Sequence, residues 1–424
     1  MLINRNFRLL WAGQAVSLTG DTVFDTTLTL WVGTVLLAGR PYAPAAVAGL
    51  LAAAAVATLL VAPLAGVFVD RWDRRRTMLA ADLVRAALIG GVAAMTFLPT
   101  GTVPTGVTVV VVYLAVFLNA AVSQFFGPAR FAILGEVLAE ADRARAAGIG
   151  QSTVGIAAVL GPPLAAPLLF TAGVRWALLL NAVSFLVSFA LVHAVRPEPG
   201  QSPERGHRPG VWPELLAGLR MVASRGVVKA LLITVVLVSL GFSALNAVNV
   251  FFLTDNLHVA GRWYGTLEMV LGIGLLSGSV LAAPMGRRFG YHRTFPLGLL
   301  AAGALLVGYS RTTQLWSALA LTTALGAALA ILNAAVAPLL VEAVPAEYLG
   351  RVFSAVGPVA QLANMVGMSA AGWFAGSVPR DFHVEVGGVG LGRIDLVIGC
   401  SGLLTVAAGL YALYGLRLRS SKGV

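Results

Sequence analysis

The chain has 424 residues, 58% of them hydrophobic and only 11% charged, with a mean hydropathy of +0.86. A water-soluble domain carries about a quarter of its residues as charges, so lipid is the expected solvent around most of this chain. The formal charge of +11 does not indicate a nucleic-acid partner, because the basic residues are gathered between apolar stretches; the single cysteine, Cys400, excludes an intrachain disulfide.

In chain order, the apolar stretches predict helices near 9–37, 44–68, 77–98, 104–126, 148–170 and 173–194, then 226–252, 262–283, 291–308, 312–340, 352–376 and 391–415. This makes an all-α integral membrane protein of twelve transmembrane helices. The first stretch is not expected to be a cleaved signal: it outruns an ordinary apolar core, follows Arg5 and Arg8, and contains two aspartates. Segment 196–225 holds RPEPGQSPERGHRPG and reads as a linker, so the expected domains are a six-helix bundle at 1–195, the linker, and a second bundle at 226–424. Within it, 211–225 reads either as plain linker or as a short interfacial helix with Trp212, Leu215, Leu216 and Leu219 on one side.

Basic residues set the expected orientation. With the N-terminus inside, 22 of the 29 lysines and arginines fall on the cytoplasmic side and six outside, while Arg85 lies within the third stretch. Cations favour the cytoplasmic face, so both termini are expected in the cytoplasm, with the chain in the cell (inner) membrane.

An internal repeat runs through this pattern. SLTGDTVFD (17–25) parallels VSLGFSALN (238–246), with Gly20 opposite Gly241 and Asp25 opposite Asn246. GEVLAEADRARA (135–146) parallels VEAVPAEYLGRVFSA (341–355), with Arg145 opposite Arg351. Both offsets are near half the chain, the mark of a duplicated six-helix unit.

Charges inside the spans are costly and single out a site. Asp21 and Asp25 share a helix face as an i,i+4 pair and resist simultaneous ionisation; they are candidates for proton coupling or substrate binding, as is Glu268. The competing reading is structural: Asp21 capping a local break after Gly20, or either acid bonded to an asparagine. Asn246 and Asn249, with Phe24, Trp31, Phe242 and Phe251, are candidates to line a cavity for an amphipathic cargo. Asn119, Gln124 and Asn181 read as interhelical hydrogen-bonding residues. Asp82 and Arg85, three residues apart, are expected to pair with each other in a gating role. The loop GVFVDRWDRRR (66–76) reads either as an ordinary positive-inside loop, which Arg71 and Arg74–Arg76 alone would satisfy, or, with Gly66 allowing close helix contact and Asp70 at the membrane face, as a contact that holds one conformation and breaks in another. Glu136, Glu140, Asp142, Arg143 and Arg145 are expected in a loop, making salt bridges between bundles. No phosphate-binding loop is present, the five histidines lack metal-ligand spacing, and neither an enzyme nor a cofactor or metal site is expected.

On the 66–76 loop, NFRLLWAGQAVSLTGD (6–21), FFGPAR (125–130), GPPLAAPLL (161–169) and VPAEYLGRV (344–352), the chain resembles the major facilitator superfamily. Within it, the likeness is to drug:proton antiporters of the macrolide-efflux and enterobactin-exporter kind, over nearly the whole length. The resemblance implies two pseudo-symmetric six-helix bundles, a cytoplasmic gate containing Asp70, and efflux driven by protons, with antibiotic resistance as one outcome. Expected partners are the lipid bilayer, protons and a hydrophobic or amphipathic small molecule, with no nucleic acid and a monomeric chain. PMGRRFGYHR (284–293) departs from the pattern in lacking the aspartate, and the fourth stretch lacks the basic residue found near its start in many relatives. Siderophore or metabolite export, lipid flipping, and a non-transporting scaffold or sensor remain open readings of the same sequence.

Overall fold

A computed structural model describes residues 3–69, 71–99, 101–196, 226–344, 346–386 and 389–420. The proposed linker helix and Asp70 lie outside these residues. Among the described residues the chain forms twelve long helices. The first six are α1 (Arg5–Leu30), α2 (Ala43–Val69), α3 (Arg74–Met95), α4 (Thr105–Val137), α5 (Glu140–Pro167) and α6 (Val174–His193). The second six are α7 (Gly226–Phe251), α8 (Tyr264–Phe289), α9 (Tyr291–Ser310), α10 (Leu315–Ala343), α11 (Ala346–Ser377) and α12 (Arg393–Ser420). Nine of the described helices are apolar and long enough, by composition alone, to cross a membrane.

Sequence explains the helix ends. Asn4 caps α1 by accepting from Phe7 N–H at 2.7 Å, and Asp73 caps α3 by accepting from Arg76 N–H at 2.7 Å. α1, α5 and α7 each run on into a π-helical segment, Trp31–Leu36, Leu168–Ala172 and Phe252–Asn256 respectively. The expected loop at 127–147 is mostly helix, because α4 continues to Val137 and α5 starts at Glu140. Hydropathy marks where lipid contact ends. Backbone hydrogen bonding carries a helix further, and Glu140 and Asp142 in the first turn of α5 suit its N-terminal dipole.

The chain divides into two compact units. The first comprises residues 1–38, 53–207 and 264–269, the second 39–52, 208–263 and 270–424. In the first unit α1 packs on α5 and α6, and α3 on α4 and α6; in the second α7 packs on α11 and α12, and α9 on α10 and α12. Advancing each helix number by six converts one set of neighbours into the other. The duplication read from two short motifs therefore extends to the internal packing of both units.

Glycines hold these helices close. A Cβ on Gly20 would collide with Ser184 and Asn181 of α6, while one on Gly241 would come within 2.9 Å of the Ser401 carbonyl and 3.1 Å of Thr405 on α12. The glycines aligned by the repeat thus do the same job in each unit. In the second unit Gly274 and Gly278 of α8 face the α10 backbone at Thr323 and Ala327, and Gly326 faces Leu271 in return. Such small-residue seams bring two backbones together where no water is available to drive association. Gly66 behaves otherwise. A Cβ there meets nothing within 4 Å among the described residues, so the close contact expected at this position is absent.

The second unit also carries a short antiparallel hairpin, His383–Val386 with Val389–Gly392, in the segment before α12. Arg393, only 3% exposed, follows it. Its guanidinium donates to the Ala375 and Val378 carbonyls at 2.6 and 3.2 Å and to Asp255 at 3.0 Å, tying α11 and the end of α7 to α12. Asn256 donates to Asp395 beside it. Arg393 is one of the six cations the sequence assigns to the outer side, and the structure makes it a buried clamp.

Candidate functional site

The first unit contains a cavity of about 330 Å3. α1 supplies Gln14, Ser17, Leu18, Asp21, Phe24 and Asp25; α3 supplies Arg85; α4 supplies Asn119, Ser123, Phe126 and Arg130. The α1 contribution is a helical stripe, since positions 14, 18, 21 and 25 recur at three- and four-residue steps. The volume lies at the lower end of the range for small-molecule sites.

Asp21 and Asp25 sit differently in this space. Arg85 Nη2 donates to both Asp21 oxygens at 2.9 and 2.8 Å, while its Nε donates to Asn119 Oδ1 at 3.1 Å. The guanidinium carbon also lies 4.0 Å from the centroid of the Phe185 ring on α6. Asp21 is therefore neutralised by a charge-assisted pair inside the unit. Asp25 is exposed to the cavity and has no hydrogen bond or ion pair among the described residues. One acid is held and the other is free.

The intrahelical pair expected between Asp82 and Arg85 does not form. Arg85 takes Asp21, Asn119 and the Phe185 face, three partners on three other helices, and these outweigh a single carboxylate one turn away. Asp82 is completely buried.

The remaining candidates scatter. Phe24 lines the cavity, although it is 2% exposed; Trp31 and Phe251 are buried core residues, and neither lines it. Asn249 is buried and accepts a hydrogen bond from Tyr309 at 2.7 Å, a structural contact within the second unit. Phe242 is half-buried and Asn246 is exposed, so Asn246 shares the open setting of its repeat partner Asp25. Glu268, half-buried in α8, does not line the cavity.

At the basic end of the first unit, Arg74 pairs with Glu136 at the end of α4, and Arg75 donates to the Val192 and His193 carbonyls of α6. Arg143 donates to the Gly135 carbonyl at 3.1 Å. These bonds lie within one unit, so the Glu136 and Arg143 contacts expected to join two bundles instead fasten α3, α4 and α5 to one another. Arg71 and Arg145 are exposed; the side chain of Arg351 falls outside the described residues. In the second unit His292 at the start of α9 meets Glu342 at the end of α10 at 2.8 Å, the repeat counterpart of Arg74 with Glu136.

Sequence reasoning missed Gln14 and Arg130 as cavity residues. Gln14 is seven residues before Asp21 and eleven before Asp25, so the polar stripe was present in the spacing. Arg130 ends FFGPAR (125–130), just past the limit that hydropathy predicts for the fourth helix. Continuing α4 past 126 carries it into the lining, where it also borders a smaller hollow with Trp11 and Leu134.

Long apolar helices in two repeated units, one of them enclosing an acid-lined chamber, define a membrane transporter. The family described as Major Facilitator Superfamily matches residues 10–254 and 231–422. Macrolide efflux protein A of Streptococcus pyogenes is 24% identical over 381 residues, 87% of this chain and 89% of that protein. An uncharacterized MFS-type transporter of Bacillus subtilis is 28% identical over 307 residues, 70% of this chain and 69% of its own. Among solved structures, a bacterial homologue of the iron transporter ferroportin in an inward-facing state superposes with a TM-score of 0.74. It shares 16% identity, with 98% of this chain and 99% of that chain covered. The chain belongs to the major facilitator superfamily. It is a multi-pass membrane transporter and not an enzyme.

Proposed function

We propose that this transporter is a proton-coupled exporter of hydrophobic or amphipathic small molecules. It works by alternating access in the inner cell membrane, with both termini cytoplasmic and the chain acting as a monomer. Likeness to a macrolide efflux protein along 87% of the chain supports the direction and the class of cargo.

The observation that carries the coupling is Asp25. A carboxylate in a membrane chamber either holds a proton, finds a cation, or pays a large desolvation cost. Asp21 meets that requirement through Arg85, and Asp25 has no such partner among the described residues, so a proton and a cationic cargo compete for it. Cargo entering with a positive charge displaces the proton, and a proton arriving from the other side displaces the cargo. The aromatic wall at Phe24 and Phe126 suits the apolar part of such a molecule. An unpaired acid at this depth also favours basic or neutral cargo over an anionic siderophore.

The test uses the full chain in sealed vesicles with an imposed proton gradient, and a basic macrolide or a lipophilic cationic dye as probe. Asp25→Asn keeps the shape and removes the titratable oxygen. Gradient-driven accumulation of the probe should fall to the level of protein-free vesicles while the unfolding temperature stays at the wild-type value. Undiminished accumulation by the folded variant removes Asp25 from the mechanism.

A further inference from the structure

Behind the Asp21–Arg85 pair lies an acid that the proposed transport cycle does not use. Asp82 of α3 is 0% exposed, and neither of its oxygens has a hydrogen-bond partner among the described residues. The Ser188 hydroxyl of α6 interacts with it without reaching hydrogen-bonding geometry, and the Asn181 amide nitrogen, also fully buried, has no partner among the described residues. Four buried polar atoms thus lie unpaired along the α3–α6 seam. Packing is tight there, because a Cβ on Gly13 of α1 would come within 3.3 Å of Ser188. The charged and polar groups around Asp82 are Arg85 on its own helix, Asp21 on α1 and Ser188 on α6; from α4 the contribution is Asn119, already bound to Arg85.

An ionised carboxylate with no partner costs several kcal/mol or more in such surroundings. A neutral carboxylic acid costs far less, and its O–H can turn toward Ser188. Electroneutrality says the same. Two carboxylates and one guanidinium balance only when one proton is aboard, and there are two ways to place it. In the structure Arg85 is on Asp21, which leaves the proton to Asp82. In the alternative, Arg85, one helical turn from Asp82, pairs with Asp82 and the proton sits on Asp21.

We propose that Asp82 is a second proton-binding site, and that Asp21, Arg85 and Asp82 form a one-proton relay in which the guanidinium and the proton exchange places. The step is balanced. Asp82 gives up its proton, Asp21 takes it, and Arg85 moves from Asp21 to Asp82, so each end state pairs the one carboxylate with the guanidinium and keeps the other acid neutral. Of the two acids in the relay, Asp21 lines the cavity and Asp82 does not, so the proton is open to water in one arrangement and sealed in the other. It also alters what cargo meets, because a protonated Asp21 released from Arg85 presents a neutral donor beside Asp25. This deepens the reading of Asp25 as the coupling acid and rests on it for its transport role, but the relay itself has a readout independent of transport.

That readout is the infrared carbonyl stretch of a protonated carboxylic acid, recorded by difference spectroscopy on the full chain in lipid at neutral pH. The wild type should show a band for a buried acid, slow to shift on exchange into heavy water. Asp82→Asn should lose that band, and Asp25→Asn should keep it. Asp21→Asn gives the sharper outcome. With Asp21 uncharged, Arg85 should turn to Asp82, Asp82 should ionise, and the band should vanish although Asp82 is still present. This second variant also covers the case in which Asp82→Asn fails to fold. A slowly exchanging band that survives in Asp82→Asn or Asp21→Asn, or is missing from the wild type, overturns the relay; a band that shifts at once in heavy water belongs to cavity-exposed Asp25 and is not counted. Failure of transport in Asp25→Asn leaves these bands untouched, so the two proposals fail separately.

Discussion

Gly326 sets how closely α8 and α10 approach in the second unit. A Cβ there would run into the Leu271 carbonyl and sit 3.0 Å from the Leu275 nitrogen, both backbone atoms that cannot turn away. Overpacking of this kind typically costs about 1–3 kcal/mol. Gly326→Ala should therefore lower stability by that amount in reversible unfolding from micelles, whereas Gly66→Ala, facing open space, should stay within about 0.5 kcal/mol of wild type. At this scale the sequence was informative about cost and uninformative about partners. Asp21 and Asp25 stood out because charge in an apolar run needs a reason, and the structure places both at the cavity. Which of them would be neutralised depended on helix rotation, and no spacing along α1 encodes that. The i,i+3 spacing of Asp82 and Arg85 misled for a related reason: local proximity is one term, and Asn119 and Phe185 were far away in sequence. Gly66 shows the same limit, since a glycine permits close contact without requiring it.

The helices repeat their partnerships across the two units, and this was legible only in outline. The Gly20–Gly241 correspondence came from nine-residue segments, yet both glycines rest on serine or threonine of the last helix in their unit. The repeat preserves positions more faithfully than chemistry. Arg74–Glu136 in one unit becomes His292–Glu342 in the other, where both side chains are about half exposed. Exposed pairs contribute about 0–1 kcal/mol, so Glu342→Gln should leave the unfolding free energy within that range. Arg393 is the contrasting case, buried, with two carbonyls and Asp255 depending on it. Arg393→Ala should destabilise the protein by about 3–5 kcal/mol. The sequence concealed this clamp because a cation just outside an apolar stretch looks like every other interfacial cation.

For the whole molecule the distribution of basic residues predicts the orientation in the membrane. A fluorescent protein fused after Val424 should glow, because it folds in the cytoplasm. Alkaline phosphatase inserted after Arg175 or within the hairpin after Val386 should be active, because it needs the opposite, oxidising side. Active phosphatase after Arg74 would reverse the assignment. The fold was readable at this scale because apolar length and positive charge are additive along a chain, whereas the cavity depends on how particular side chains are turned.

α1 and α7, the two repeat partners, both give way to a π-helical segment at the end opposite Arg5 and Gly226. Such a turn holds a surplus residue that an ordinary helix would not accommodate. Taken up into regular helix, that residue is worth about 1.5 Å of advance and about 100° of rotation for everything below it. Asp25 stands six positions before Trp31. A small rewinding at the far tip of α1 would thus swing its carboxylate from one bearing to another, with the body of the helix acting as a rigid crank. Shortening the chain by one residue at Thr34 should cost little stability but fix that bearing, which would show as cargo binding retained and turnover lost.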